Sequence, residues 1–197
     1  MISHRSILTL LWLALLLWPA ACTAPTPAPP TSTPVPPTST PPPATPTPPP
    51  AAAIDEVQIY AAVIRQVYTV DHTFGQPPNF PHIYLLATTA AEVWPGLQEG
   101  ELPPAATREA VIAALADLPA AFTWVRSARE APRDARDTVI DGAVITVGAI
   151  QPQPDGTVQV AASIYFAMLG AGGQTYVLAQ QEGVWVITGT TGMHWIS

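Results

Sequence analysis

Hydrophobic and polar positions divide the chain into three stretches with different patterns. Residues 7–18 are almost continuously apolar, residues 23–50 mix proline with small residues, and the remainder alternates apolar and polar positions with a regular period. Only the last of these patterns is typical of a chain that builds a core. We therefore predict three segments, residues 1–21, 22–53 and 54–197.

The clearest periodic element follows Asp55 and Glu56, acidic residues of the kind that begin helices. Apolar residues then recur at three- and four-residue steps, and together they cover an arc of about 200°, wider than the stripe of a surface helix. These residues are Val57, Ile59, Tyr60, Ala61, Val63, Ile64, Val67, Tyr68 and Val70. Gln58 and Thr69 lie on the polar arc. The pattern predicts a helix enclosed by other elements.

After a loop that is rich in turn residues, the sequence predicts a strand at 83–89, a peripheral helix at 107–118 and a strand at 122–126. Apolar positions then alternate from residue 138 onward. One alternating set is expected to face the core. Its members are Val158, Val160, Ala162, Ile164, Phe166 and Met168.

Turn signals separate the C-terminal strands at Asp155 and Gly156, at residues 170–173, and at Glu182 and Gly183. Three successive turns predict an antiparallel meander. Asp141 and Gly142 fit either another hairpin turn or a bulge within one long strand.

The order of these elements resembles the NTF2-like superfamily of cone-shaped α+β domains. The resemblance includes a terminal pattern formed by Tyr176, Leu178, Gly183, Trp185 and Ile187. A cystatin-like domain leaves the same trace. Either resemblance implies an N-terminal helix packed on a curved antiparallel sheet. It also implies a pocket between them, which serves catalysis, ligand binding or assembly in that superfamily, and fold alone does not choose among these.

The first segment has a basic start, a short apolar middle and small residues before a break, which is the pattern of an export signal. A membrane-spanning helix needs about twenty apolar residues, more than this run contains. The end of the segment, Ala20, Ala21 and Cys22, resembles a bacterial lipoprotein signal. That resemblance implies an extracytoplasmic protein of the cell envelope, attached to a membrane by lipid on Cys22. Ordinary secretion and an uncleaved anchor are the alternatives.

The second segment contains fourteen prolines between residues 23 and 50 and no charged residue. Such a composition does not form a core, and its prolines favour an extended conformation. We expect a stalk that holds the domain away from the membrane. A ligand for a proline-recognising module and a glycosylated stalk are alternatives.

Charge and cysteine content exclude several classes of function. The net charge is −7 and all basic residues are arginine, so the chain lacks the basic face that nucleic-acid binding requires. A single cysteine excludes an intrachain disulfide. No metal or other cofactor is predicted, because His72, His82 and His194 have no partner at metal-binding spacing.

Two sets of residues are candidates for chemistry. Asp71 and His72, at the end of the first helix, form a candidate acid/base pair. Tyr60, Tyr68, Trp94 and Trp124 are candidates to line an aromatic ligand pocket.

We therefore expect a non-catalytic domain that binds a small molecule or a protein. The alternatives are a small NTF2-like enzyme with an acid/base residue in the cone, and a structural module that forms a homodimer through the apolar run at 143–150.

Overall fold

The computed structural model describes residues 54–73, 80–94 and 99–197. The predicted signal, Cys22 and the predicted stalk lie outside the described residues. The described part contains two α-helices and seven strands. In chain order they are α1 (Glu56–Thr69), β1 (His82–Ala87), α2 (Ala105–Ala114), β2 (Ala121–Trp124), β3 (Gly142–Val147), β4 (Gln151–Pro152), β5 (Val158–Ala167), β6 (Gly170–Gln181) and β7 (Val184–Ile196).

The strands form one mixed sheet in the order β2-β1-β3-β5-β6-β7, with β4 paired to β5. The α+β class is confirmed, and so is the antiparallel meander of β5, β6 and β7. The prediction of a wholly antiparallel sheet is wrong, because β1 runs parallel to both β2 and β3. Alternating apolar residues mark a strand without giving its direction. The segment between β1 and β2 includes α2 and is long enough for a parallel crossover.

Helix α1 begins as its sequence predicts. Asp55 is the N-cap, and its Oδ1 accepts a hydrogen bond from the backbone N of Gln58 at 3.0 Å. Six residues of the predicted apolar arc are buried beneath the sheet: Ile59, Ala61, Val63, Ile64, Val67 and Tyr68. Val70 was predicted to join them but is 60% exposed, because the helix has ended by this residue.

Helix α2 packs beside α1 and is peripheral, as predicted. It ends at Ala114, four residues earlier than its pattern suggests. Leu115 is buried nevertheless, and hydrogen bonds from the N of Leu115 to the O of Ile112 and from the N of Leu118 to the O of Leu115 tighten the following turns. Neither helix of the described residues is long and apolar enough to cross a membrane.

The sheet is covered on both faces at β1 and β3. The helices and the larger core lie on one face, while the segment 125–141 closes a smaller cluster on the other. The run at 143–150 is therefore buried or half-buried, with Ala143 and Ile145 in the larger core and Val144 in the smaller. The prediction that this run is a surface for dimerisation is wrong.

Two predicted turns are confirmed by backbone geometry. Gly156 has φ 84° between β4 and β5, and Glu182 and Gly183 have φ 52° and 84° between β6 and β7. The sequence allowed either a hairpin turn or a bulge at Asp141 and Gly142. In the structure Asp141 has φ 50° and immediately precedes β3.

The predicted turn at residues 170–173 is wrong, because these residues begin β6. The chain reverses at Met168 and Leu169 instead, which leaves Met168 71% exposed rather than in the core. The glycines allow close packing: a Cβ on Gly172 would meet Thr73, and one on Gly173 would lie 2.8 Å from the Trp195 ring.

Candidate functional site

A polar cleft lies where the end of α1 meets β5, β6 and β7. Its centre is the Asp71 carboxylate, whose Oδ2 accepts hydrogen bonds from Tyr176 Oη at 2.9 Å and from Gln66 Nε2 at 3.0 Å. Tyr176 is placed by the helix-facing side of β6, and Asp71 by the backbone turn that ends α1. The lining residues are Val67, Asp71, Thr73, Ala162, Ser163, Gly172, Gly173, Gln174, Tyr176 and His194.

The phenol of Tyr176 remains a proton donor in this cleft. Burial raises the pKa of Tyr176 well above its ordinary value, and the adjacent charge of Asp71 raises it further. A second polar atom, Oγ1 of Thr73, is buried without a hydrogen-bond partner among the described residues. The cleft thus presents a carboxylate that already has two donors and one hydroxyl that has no partner.

The size of the cleft limits its chemistry. Its volume is about 10 Å³, roughly the space that one water molecule needs. An organic substrate does not fit in this conformation.

The predicted acid/base pair is only partly assembled here. Asp71 lines the cleft, but His72 is buried outside its lining and has interactions of its own. The sequence analysis missed Tyr176 and His194 as cleft residues. Tyr176 was noted only as part of a strand pattern, and its place opposite Asp71 depends on a contact that spans 105 residues. Among the described residues, no group of three or more His, Cys, Asp or Glu side chains could hold a metal ion.

A second and larger concavity, the α2–β2 groove, lies between α2 and β2. Its volume is about 260 Å³, slightly below the roughly 300 to 1,000 Å³ of pockets for drug-sized ligands. The groove is lined by Ala105, Arg108, Glu109, Ile112, Phe122, Thr123 and Trp124. A fragment-sized ligand fits this volume.

The groove brings together part of the predicted aromatic set. Trp124 lines it, and its Nε1 donates to the backbone O of Arg108 at 3.3 Å, which joins β2 to α2. Tyr68 lies behind the groove, with its ring edge-on to Phe122 at a centroid distance of 5.9 Å. Two of the candidates therefore belong to this region: Trp124 lines the groove, and Tyr68 packs against Phe122, which also lines it.

The other two aromatic candidates lie outside the groove lining. Tyr60 is half-buried on α1, where burial and then the charge of Glu56 raise the pKa of its phenol. Trp94 is 50% exposed, and its Nε1 donates to Glu92 at 3.2 Å. The structure does not bring Tyr60 and Trp94 together with Trp124 in one pocket.

Arg108 is the main charged feature of the groove. Its Nε is buried and has no hydrogen-bond partner, and no ion pair of its guanidinium is found among the described residues. Glu109 supplies the opposite charge at the groove lining. The sequence analysis did not single out Arg108, because one arginine on a short helix carries no recognisable spacing.

Comparison of the chain with protein-family models, with curated proteins and with solved structures finds no match.

Proposed function

We propose that this is an exported envelope protein, lipid-anchored through Cys22, whose α+β domain binds a small ligand in the α2–β2 groove. The observation that carries the binding role is the groove itself, with a volume of about 260 Å³ and an aromatic wall formed by Phe122 and Trp124. Apolar concave surfaces with a few polar groups are the usual form of ligand sites. The polar cleft is a poorer choice, because it has room for roughly one water.

The NTF2-like or cystatin-like fold identity is part of this proposal. It is supported by the long helix α1 packed on the antiparallel strands β3, β5 and β7. In such a fold the ligand is expected between helix and sheet. Here the more spacious concavity lies instead at the sheet edge, between α2 and β2.

Ligand binding in the α2–β2 groove can be tested by filling the groove with a larger side chain. Ala105 and Ala106 are both exposed at the start of α2, but only Ala105 lines the groove. We expect Ala105→Trp to abolish binding of 3-phenylpropionate, an aromatic probe, and Ala106→Trp to leave it unchanged. Equilibrium dialysis of the full chain in lipid nanodiscs, with empty nanodiscs as the blank, measures this. Equal binding to both variants would place the probe elsewhere.

The lipid anchor is tested separately. Cys22 is the only cysteine of the chain. Cells that express the protein and are fed an alkyne fatty acid should label the wild type, and Cys22→Ser should carry no label. Label of equal intensity on both proteins would exclude thioether lipidation at Cys22.

We also propose a homodimer, favoured by the edge strand β7. This strand has 13 residues with no Asp, Glu, Lys or Arg among them, in a chain of net charge −7. Met193 and Ile196 on β7 are 62% and 63% exposed, and the exposed turn at Met168 and Leu169 adjoins the end of the strand. An uncharged apolar surface lets two acidic copies meet without like charges in contact.

The contact rests on side chains, because two β-bulges interrupt β7 and bulges discourage edge pairing. Light scattering of the detergent-solubilised protein should give twice the monomer mass. Met193→Glu should give the monomer mass, whereas Thr69→Glu, an exposed change on α1, should not. A monomeric wild type would exclude this assembly.

A further inference from the structure

Arg108 is the starting point for an inference about the class of ligand. The Nε atom of this arginine is buried at the α2–β2 groove and has no hydrogen-bond partner. A buried donor on a charged group that lacks a partner is costly. Native proteins rarely keep such a group unless it has a role.

Other partly buried arginines of this domain do have partners. Arg65 binds Asp117 through two nitrogen–oxygen contacts of 2.7 Å, and Arg133 binds Asp137 at 3.0 Å. The Nε of Arg133 is also buried without a partner, but its other guanidinium nitrogens are bonded. Arg108 differs because no hydrogen bond or ion pair of its guanidinium is found among the described residues. Acidic residues outnumber arginines 14 to 7 in the chain. A shortage of carboxylates therefore does not explain why Arg108 lacks a partner.

The walls of the groove limit what an anionic partner of Arg108 can be. Phe122 and Trp124, each 8% exposed, line the groove with part of their rings, which favours an apolar group beside them. Glu109 lines the same groove and disfavours a second negative charge. An arginine fork matches a carboxylate through two parallel hydrogen bonds. One carboxylate on a small apolar body satisfies all three conditions.

We infer that the groove binds a small aromatic or similarly apolar monocarboxylate, with its carboxylate on Arg108 and its apolar body against Phe122 and Trp124. This inference rests on the proposed binding role of the groove. It specifies the charge of the ligand and the residue that binds the charged group.

The test compares an acid with its neutral analogue. The probes are 3-phenylpropionate and 3-phenylpropionamide, measured by equilibrium dialysis against the full chain in nanodiscs. We expect the acid to bind at least tenfold more tightly than the amide. Arg108→Gln should bring the two affinities together, and Arg136→Gln should leave the difference intact, because Arg136 is exposed and lies outside the groove lining.

A second measurement on the wild type avoids dependence on the fold of Arg108→Gln. Raising the ionic strength screens charge, so it should weaken binding of the acid and leave the amide unaffected. Phenyl phosphate should bind more weakly than the acid because of Glu109.

The outcomes separate this inference from the proposed function. Equal affinities for acid and amide, both lost in Ala105→Trp, would overturn the inference and leave the groove as the binding site. Binding of neither probe would overturn both. Tighter binding of phenyl phosphate would replace the carboxylate with a phosphate and so overturn the inference.

Discussion

At the scale of single residues, the hydrogen bond from Tyr176 to Asp71 joins the end of α1 to the centre of β6. Tyr176 is 1% exposed and Asp71 is half-buried. Because Gln66 also donates to Asp71, the carboxylate connects α1 to β6. This contact depends on Tyr176 keeping its proton.

The free energy of unfolding should depend on pH through the ionisation of the Tyr176 phenol. The pKa of Tyr176 is raised on folding, so its contribution is complete below the unfolded value of about 10 and is lost as the pH rises toward the folded value. At pH 11, about one unit above the unfolded pKa, the loss is on the order of 1 kcal/mol. Urea unfolding at pH 8 and pH 11 should show that Tyr176→Phe loses less stability than the wild type, by about this amount.

The composition of the chain limits the number of other groups that ionise between pH 8 and pH 11. The chain has no lysine and five tyrosines, so few other groups titrate in this range. Tyr165→Phe is the control, since burial also raises its pKa but the residue is only partly buried. An identical loss in wild type and Tyr176→Phe would show that Tyr176 ionises at its ordinary pKa.

The strand glycines supply a second residue-level prediction. A Cβ on Gly173 would lie 2.8 Å from the Trp195 ring, whereas one on Gly189, also in a strand, has no atom within 4 Å. Gly173→Ala should cost about 1 to 3 kcal/mol, the range for overpacking, and should shift tryptophan fluorescence. Gly189→Ala should change neither. A neutral Gly173→Ala would mean that the Trp195 ring moves aside freely.

These glycines also show a limit of sequence reasoning. Four residues of the type Gly-Ala-Gly-Gly resemble a turn because glycine adopts turn conformations readily. In the fold they begin a strand. Glycine is needed there because Phe166, Thr73 and Trp195 occupy the space that side chains would fill. Only knowledge of those distant neighbours distinguishes the two cases.

At the scale of elements, α1 was the most predictable part of the fold. Its start, its length and its buried face follow from the cap at Asp55 and the period of its apolar residues. Gln58 departs from the pattern: it lies on the polar arc, yet its Oε1 accepts a hydrogen bond from the backbone N of Trp185 at 3.1 Å. A polar residue on a helix that other elements enclose can join the helix to its neighbour.

Helix burial is tested by a pair of substitutions. Ile64 is fully buried, so Ile64→Ala should cost about 2 to 5 kcal/mol. Thr69→Ala should cost less than about 0.5 kcal/mol because Thr69 is exposed. Gln58→Ala should fall between them, since it removes the bond to β7. Denaturant unfolding measures all three, and a tolerated Ile64→Ala would contradict the buried face.

The crossover from β1 to β2 explains what could not be predicted of the α2–β2 groove. The sequence predicted α2 and β2 as elements and Trp124 as a ligand-binding candidate. It gave no information that the strands are parallel, and therefore none that α2 covers β2. Arg108 and Trp124 lie 16 residues apart, and only this packing places them in one groove.

At the scale of the whole molecule, charge is distributed unevenly along the domain. Residues 164–197 contain Glu182 as their single Asp, Glu, Lys or Arg, although the chain carries a net charge of −7. Strands β6 and β7 occupy nearly all of that stretch. The segment 125–141 carries eight charged residues, whereas β7 contains no Asp, Glu, Lys or Arg. This leaves one edge of the sheet available for contact with an uncharged partner.

The last prediction concerns how much of the chain the fold requires. Among the described residues, the elements from α1 to β7 build two core clusters, and α1 receives its cap from Asp55. A chain that begins at Ala51 should therefore unfold cooperatively, with a free energy of unfolding within about 0.5 kcal/mol of the full chain. A chain that begins at Gln58 loses the cap and the half-buried Val57, so it should be less stable by at least the roughly 0.5 to 2 kcal/mol of a helix cap.

Urea unfolding followed by tryptophan fluorescence compares these chains with the full-length Cys22→Ser variant in the same buffer. The Gln58 chain shows that the measurement detects the loss of the start of α1. If the Ala51 chain is insoluble, or is less stable than the full chain by more than the Gln58 difference, then residues before 51 contribute to the core. Residues 23–50 would then be part of the fold, because a stalk that only spaces the domain from the membrane has no contact whose loss could destabilise it.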